Sequence, residues 1–311
     1  MPERERPQIE MKPRQLRKHV GHDEPIRVTK TDIVAWKDAL VAAGRVPKGI
    51  KDGQLAAARA IYNYGVENDL LAANPAQGIT IRQRKKAGTK MLGYSDVEVA
   101  SILALAAAQA KPDRRWLPWL MALSGARVGE LAQLWGQRIV QIEGVWVMKI
   151  APAEDGGTLK NEGSERDVPI HSAILERGFL GFVRSRGDGP LFYRGGKPAK
   201  DKASRGPGAR HASKGVVNHL ASWVRDNGFT DERKAPNHAL RHWFKTACQR
   251  AEVQDSIADA IQGHKGSRGE ADTYRHTGIE VMAKAIASIR VPSVPAQARE
   301  AGDKDAGRQV A

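Results

Sequence analysis

"LMALSGARVGELAQL", residues 120–134, sets an apolar helical run against an abrupt stop at Ser124-Gly125, and a second helix starts at once. Glycine just past a helix end and a polar residue before it are ordinary punctuation. The new helix opens less ordinarily. Arg127 stands at its start, and Glu130, three positions on, shares its face. An exposed ion pair of that spacing is a common surface feature. The other use of the pattern is an arginine aimed outward and held there by its glutamate, and the rest of the chain has to decide between the two.

Working outward, "SDVEVASILALAAAQA" (95–110) opens upstream with a capping box, Ser95 with Glu98. Downstream, "GVWVMKIAPA" and "ERDVPIH" read as two strands joined by the turn-rich "EDGGTLKNEGS", a hairpin with Lys160 in its turn region and Arg166 on the returning strand. Beyond residue 171 the periodicity is helical, apart from a short apolar "LFYR" (191–194) and a Gly/Lys-rich loop (195–214). "PNHALRHWFKTA" puts His238 and Arg241 on one helix face, with His242 beside them. His238 and His242 also have the i,i+4 spacing of a helical zinc pair. A metalloprotease helix would carry Glu directly after the first His, however, and here that residue is Ala239. Finally "IQGHKGSRGEADTYRHTG" (261–278) places Tyr274 among His264, Lys265, Arg268, Arg275 and His276. A tyrosine so placed is either a surface residue in a basic loop or a nucleophile aimed at a phosphate, and this stretch alone does not choose between them.

The chain of 311 residues suits two domains. "VTKTDIVAWKDALVAAG" (28–44) reads as a helix capped by Thr29 or Thr31, with Ile33, Trp36 and Leu40 on one face. "DGQLAAARAIYNYGVENDLLAANPA" (52–76) reads as a long helix and then a short one, stopped at Asn74-Pro75. Periodicity then fails in the basic "IRQRKKAGTKML" (81–92), a linker signature. Between basic domains such a linker can lie along a phosphate backbone, so Arg82, Arg84, Lys85 and Lys86, with Arg166, are candidate DNA contacts. Net charge is +15, of which +8 falls on residues 1–92 (18 basic against 10 acidic), so both halves face a polyanion, most simply nucleic acid. Cys248 is the one cysteine, which excludes an internal disulfide and a Cys-based zinc site and fits a reducing cytoplasm. No run approaches the length of a membrane span, so no membrane partner is expected.

Taken in order, Arg127, Lys160, His238-x-x-Arg241, Gly263-His264 and Tyr274 resemble the catalytic signature of the tyrosine recombinases, the phage integrase family. The N-terminal helices resemble the integrase core-binding domain, and the resemblance covers about residues 25–290. It implies a mainly α, two-domain DNA clamp. Residues 1–88 would be a helical, SAM-like core-binding domain and 89–91 a linker. Residues 92–290 would be a mostly helical catalytic domain with a small antiparallel sheet, and 291–311 a disordered tail. The chain departs from the family in "LWGQRI", where Gln137 replaces the acidic residue of Trp-x-Asp-Ile, and in Gln262 before the Gly-His pair. About 25 residues precede the first core-binding helix, which leaves recombination at simple core sites, or a trimmed start, as the expectation.

The resemblance further implies Tyr274 as nucleophile, Lys160 as general acid to the leaving 5′-oxygen, and Arg127 and Arg241 on the nonbridging oxygens. His238 and His264 would donate hydrogen bonds, and Glu130 would orient Arg127. No cofactor and no metal is expected. Partners would be double-stranded DNA at attachment or core sites, three further copies in a homo-tetramer on DNA, and accessory directionality factors. Localisation would be cytoplasmic and nucleoid-associated. Two rivals are a type IB topoisomerase, which uses similar chemistry to relax one duplex, and a noncatalytic DNA-binding regulator, which would not need Tyr274, Lys160 and both arginines. "GIEVMAKAIASIRVP" (278–292) carries an apolar stripe, Ile279, Met282, Ile286 and Ile289, expected to dock on a neighbouring subunit.

Overall fold

A computed structural model of the chain describes residues 14–81, 91–159, 164–194, 211–264 and 277–293. The chain divides between Thr89 and Lys90 into two compact units. Among the described residues no helix is long and apolar enough to cross a membrane.

The first unit is helical: α1 (14–20), α2 (Lys30–Ala42), α3 (Pro47–Gly49), a π-helical turn Ile50–Leu55, and α4 (Ala56–Glu67). Thr29 caps α2. Its hydroxyl accepts the Asp32 N–H, and the Asp32 carboxylate accepts the Thr29 N–H, satisfying two otherwise orphan donors. Ile33 and Trp36 then enter a core with Ile50, Leu55, Tyr62 and Ile79. The short helix expected before Asn74-Pro75 does not form. Asp69 takes a left-handed φ of 55°, and Leu70 and Leu71 fold back to donate to the Gly65 carbonyl. Asn74 completes the turn, donating to the Arg59 carbonyl at 3.0 Å while its Oδ1 accepts the Ala76 N–H at 2.7 Å.

The second unit is mostly helical with one small antiparallel sheet. Its order is α5 (Asp96–Ala107), α6 (Pro112–Ser124), α7 (Val128–Leu131), β1 (Ile139–Ile142), β2 (Val145–Ile150) and β3 (Arg166–Pro169). Then come α8 (Ser172–Glu176), α9 (Phe179–Arg186), α10 (Ser213–Asp226), α11 (Pro236–Arg250), α12 (Asp255–Gln262) and α13 (Ile279–Ala287). The Ser95–Glu98 capping box starts α5 as expected. Buried on nearly every side, α6 packs between α5 and α11. The sheet has three strands, in the order β1-β2-β3, where the sequence suggested two. Strand β1 is only four residues, and its hairpin turns on Glu143-Gly144, both left-handed at φ 52° and 77°, which matches the twist of the paired strands.

The docking expected of α13 is overturned. The stripe on this helix is buried within its own unit: Met282, Ile286 and Ile289 are 7%, 1% and 2% exposed, in the core that holds α6 and α11. Helix α13 packs on α12, β2 and β3, and His171 bonds the Ile289 carbonyl through Nε2 at 3.0 Å. The apolar face needs no neighbouring subunit to leave water.

Candidate active site

The site grows from a helix end. Gly125 terminates α6 in the left-handed region, φ 61°, and a Cβ there would come within 2.4 Å of Phe244 and 2.6 Å of Gln262. Only glycine permits both the turn and the close approach. The turn aims Arg127 outward at the N-cap of α7, and the next helical turn brings Glu130 back. Glu130 accepts the Arg127 backbone N–H at 2.9 Å and its guanidinium at 2.7 Å.

Glu130 is the hub, and it serves two arginines. Its second oxygen accepts Arg166 Nη2 at 2.9 Å, across 36 residues of chain. Arg166 also donates from Nε to the Ile261 carbonyl at 2.8 Å and from Nη1 to the Ser164 carbonyl at 2.9 Å. Its side chain is 10% exposed, so this guanidinium is directed into the protein, and the arrangement does not favour it as a phosphate contact. Burial alone would raise the Glu130 pKa, but the Arg166 charge and the hydrogen bonds from both arginines outweigh it and hold the carboxyl below its ordinary value.

Arg241 reaches the same place from α11. Nearly fully buried, it donates from Nη1 to the Gly125 carbonyl and, at 2.8 Å, to the Gln262 carbonyl. Among the described residues its Nη2 has no hydrogen-bond partner. Burial, and next the Arg127 charge, depress its pKa to about 10, so it remains a cation at neutral pH with incomplete compensation. Gln262 clamps the arrangement, returning a bond from Nε2 to the Arg241 carbonyl at 3.0 Å. The residue that departs from the family pattern thus locks α12 to α11.

Helix α12 ends at Gly263, φ 67°, whose carbonyl accepts Arg127 Nη2 at 3.4 Å. His264 comes next, its Nδ1 3.4 Å from Asp259 Oδ1, and Asp259 is also paired with Lys245 at 2.8 Å. Burial, then the nearby Arg241 charge, lower the His264 pKa. On α11 the rings of His238 and His242 meet edge to face at 4.6 Å. Arg127, Glu130, Arg166, Arg241 and His264 are therefore gathered from well-separated stretches of the chain. Lys160 and Tyr274 lie outside the described residues, as do Arg82, Arg84, Lys85 and Lys86 and most of the expected tail. Sequence reasoning missed Asp259, the bond by which Gln262 clamps α11, and the inward role of Arg166, which only long-range pairing reveals.

Chemically, one carboxylate holds two guanidiniums while the third, that of Arg241, is held by two carbonyls, so the site carries an excess of positive charge and, among the described residues, a buried donor without a partner. Guanidinium groups of this kind are suited to anions with several oxygens.

No protein-family profile and no curated protein matches the sequence. Solved structures do. A lambda integrase dimer bound to a COC′ core site aligns with 87% of this chain and 89% of its own at 16% identity, TM-score 0.59. The Tn1549 transposon integrase in complex with circular intermediate DNA aligns over 88% and 89% at 17% identity, TM-score 0.57. A lambda integrase tetramer bound to a Holliday junction aligns over 86% and 70% at 16% identity, TM-score 0.59. The chain has the fold of the tyrosine-recombinase integrases.

Proposed function

We propose that the chain is a tyrosine-type site-specific recombinase of a phage or other integrative element, acting on double-stranded DNA. The observation that carries this is Arg241: a buried cation beside Arg127, with a guanidinium nitrogen that lacks a partner among the described residues. A phosphodiester with two nonbridging oxygens completes that pocket, and preorganised donors aimed at developing phosphorane charge are worth on the order of 10²–10³ in rate each.

In this reading Tyr274 gives up its phenolic proton to solvent, the surrounding positive charge favouring the phenolate, and its Oη attacks phosphorus. The O–P bond forms as the P–O5′ bond breaks, the departing oxygen takes a proton from Lys160, and a 3′-phosphotyrosine stores the bond energy for rejoining. Arg127 and Arg241 neutralise the nonbridging oxygens, while His238 and His264 donate hydrogen bonds. Glu130 and Arg166 position Arg127. Residues 1–88 serve as the core-binding domain, with the basic linker on the backbone, and four copies assemble to pass strands through a Holliday junction in the cytoplasm. Accessory directionality factors would bias the outcome.

The test is a nicked suicide duplex built from the DNA flanking the gene. Wild type is expected to leave a covalent adduct on a denaturing gel, and Tyr274→Phe to shift the same duplex without one. An adduct with the phenylalanine variant sinks the assignment. Relaxation of plasmid lacking those flanks would favour a topoisomerase instead.

A further inference from the structure

The connection from β2 to β3 leads through "APAEDGGTLK" (151–160), whose paired glycines suggest a loose tether. The described part is nothing of the kind. Arg138 Nη1 donates to the Ala151 carbonyl at 2.8 Å, and Gln137 donates to Glu154 at 3.0 Å. Gly156 and Gly157 both donate to the Ala153 carbonyl, and Gln133 donates to the Thr158 carbonyl at 3.2 Å. Between these pins sits Asp155, with no exposed surface at all.

A carboxylate is taken into the interior only against strong partners. Asp155 Oδ1 accepts the Tyr193 hydroxyl at 3.0 Å and faces His211 Nε2 at 2.8 Å. On the other side of that ring, Nδ1 meets the Ser213 hydroxyl at 2.8 Å and the Ser213 N–H at 3.3 Å. An Nδ1 that accepts from a backbone N–H leaves Nε2 to carry the proton given to Asp155. Trp135 Nε1 donates to the Tyr193 oxygen at 3.2 Å, tying the cluster to the segment after α7. Tyr193 and His211 stand well apart in sequence, and Asp155 joins them five residues before Lys160. Nothing in the arginine pocket requires this network. In a buried polar network of this kind each member holds the others in place.

We propose that Asp155, held by Tyr193 and His211, is a positioning residue for Lys160: it anchors the arm that presents the general acid to the leaving 5′-oxygen. The inference rests on the recombinase reading. Loss of the anchor should affect the proton-donating step selectively, because nucleophile and arginines stand on other segments. Misplacing a general acid by about an ångström costs on the order of 10²-fold.

Single-turnover cleavage of the nicked flanking duplex would be compared on an ordinary phosphodiester and on its twin with a 5′-bridging sulfur, whose thiolate leaves without a proton. The proteins are wild type, Lys160→Ala, Asp155→Ala and Tyr193→Phe. Asp155→Ala, which removes the oxygen that both partners bond, is expected to be slowed on the order of 10²-fold on the oxygen substrate and to regain most of that rate on the sulfur substrate, as Lys160→Ala does. Should sulfur fail to rescue Lys160→Ala, the general-acid reading itself falls. Should it rescue Lys160→Ala while Asp155→Ala cleaves the oxygen substrate at the wild-type rate, or is slowed equally on both, the anchoring role is overturned. If Asp155→Ala does not fold, Tyr193→Phe, which deletes one hydroxyl and keeps the ring, is scored by the same two rates.

Discussion

Arg166 Nη2 lies 2.9 Å from Glu130 Oε2, and through that one carboxylate the returning strand of the sheet is joined to the helix start that carries Arg127. The consequence is pH-dependent stability. A carboxyl whose pKa is depressed in the folded state contributes stability above its unfolded value, near 4.5, and loses it as pH falls through the folded value. Glu130→Gln keeps the shape, removes the charge and leaves two arginines without their counter-ion. It should cost about 3 kcal/mol at pH 7, and the gap from wild type should narrow below the unfolded value. Urea denaturation at neutral and acid pH measures both, and a gap independent of pH would contradict the account.

Arg241 permits a test that needs no DNA. If its free guanidinium edge and Arg127 form an anion pocket, inorganic phosphate should raise the thermal midpoint of wild type, with about 2.7 kcal/mol gained at a hundredfold excess over Kd. Arg241→Lys keeps the charge but has no planar fork to serve the Gly125 and Gln262 carbonyls and an anion together. Its phosphate shift should shrink, and strand cleavage should fall on the order of 10²–10³-fold. Equal phosphate shifts in the two proteins would remove Arg241 from the pocket.

Helix α13 closes the core of the second unit. With Ile286 1% exposed beneath it, Ile286→Ala should cost about 2–5 kcal/mol. Truncation after Thr277 should likewise lower the denaturation midpoint of the isolated monomer, because the stripe covers core of its own unit. A truncated monomer as stable as the full chain would restore the idea that this face belongs to a neighbour.

The features legible in the sequence divide from the rest along a physical line. Local rules located the Ser95 cap, narrowed the cap of α2 to Thr29 or Thr31, and found the break at Gly125 and the Arg127–Glu130 pair, since each is decided within four residues. The i,i+3 pair His238 and Arg241 was legible for the same reason. Arg166, by contrast, looked like a free basic residue on a strand, because its partners Glu130 and Ile261 stand 36 and 95 positions away. Asp155 and His211, 56 apart, gave no local signal either. Strand β1 was missed because four residues are too short for alternation to declare itself, and the positive φ of Glu143 is not a residue-type signature. The destination of the α13 stripe was misjudged on different grounds. Amphipathicity states that a face must be buried, and it does not name the surface that buries it.

Gly263 offers the sharpest check on the hub, because its substitution has two separable costs. Its φ of 67° strains any side chain, and a Cβ would come within 2.6 Å of Arg166 Nη1 and 2.8 Å of its Cζ. The backbone part of Gly263→Ala is about 1 kcal/mol and is independent of Arg166. The steric part exists only while Arg166 occupies its place against Glu130 and Ile261. Gly263→Ala should therefore cost clearly more in wild type than in an Arg166→Ala background, where the guanidinium is gone and only the backbone part remains. A double-mutant cycle by chemical denaturation isolates the difference as a coupling energy on the order of 1–2 kcal/mol. Cleavage should show the same pattern, since pushing Arg166 aside frees Glu130 and with it Arg127. Additive costs would mean that Gly263 is required for its turn alone, and that the guanidinium of Arg166 yields without disturbing the carboxylate it holds.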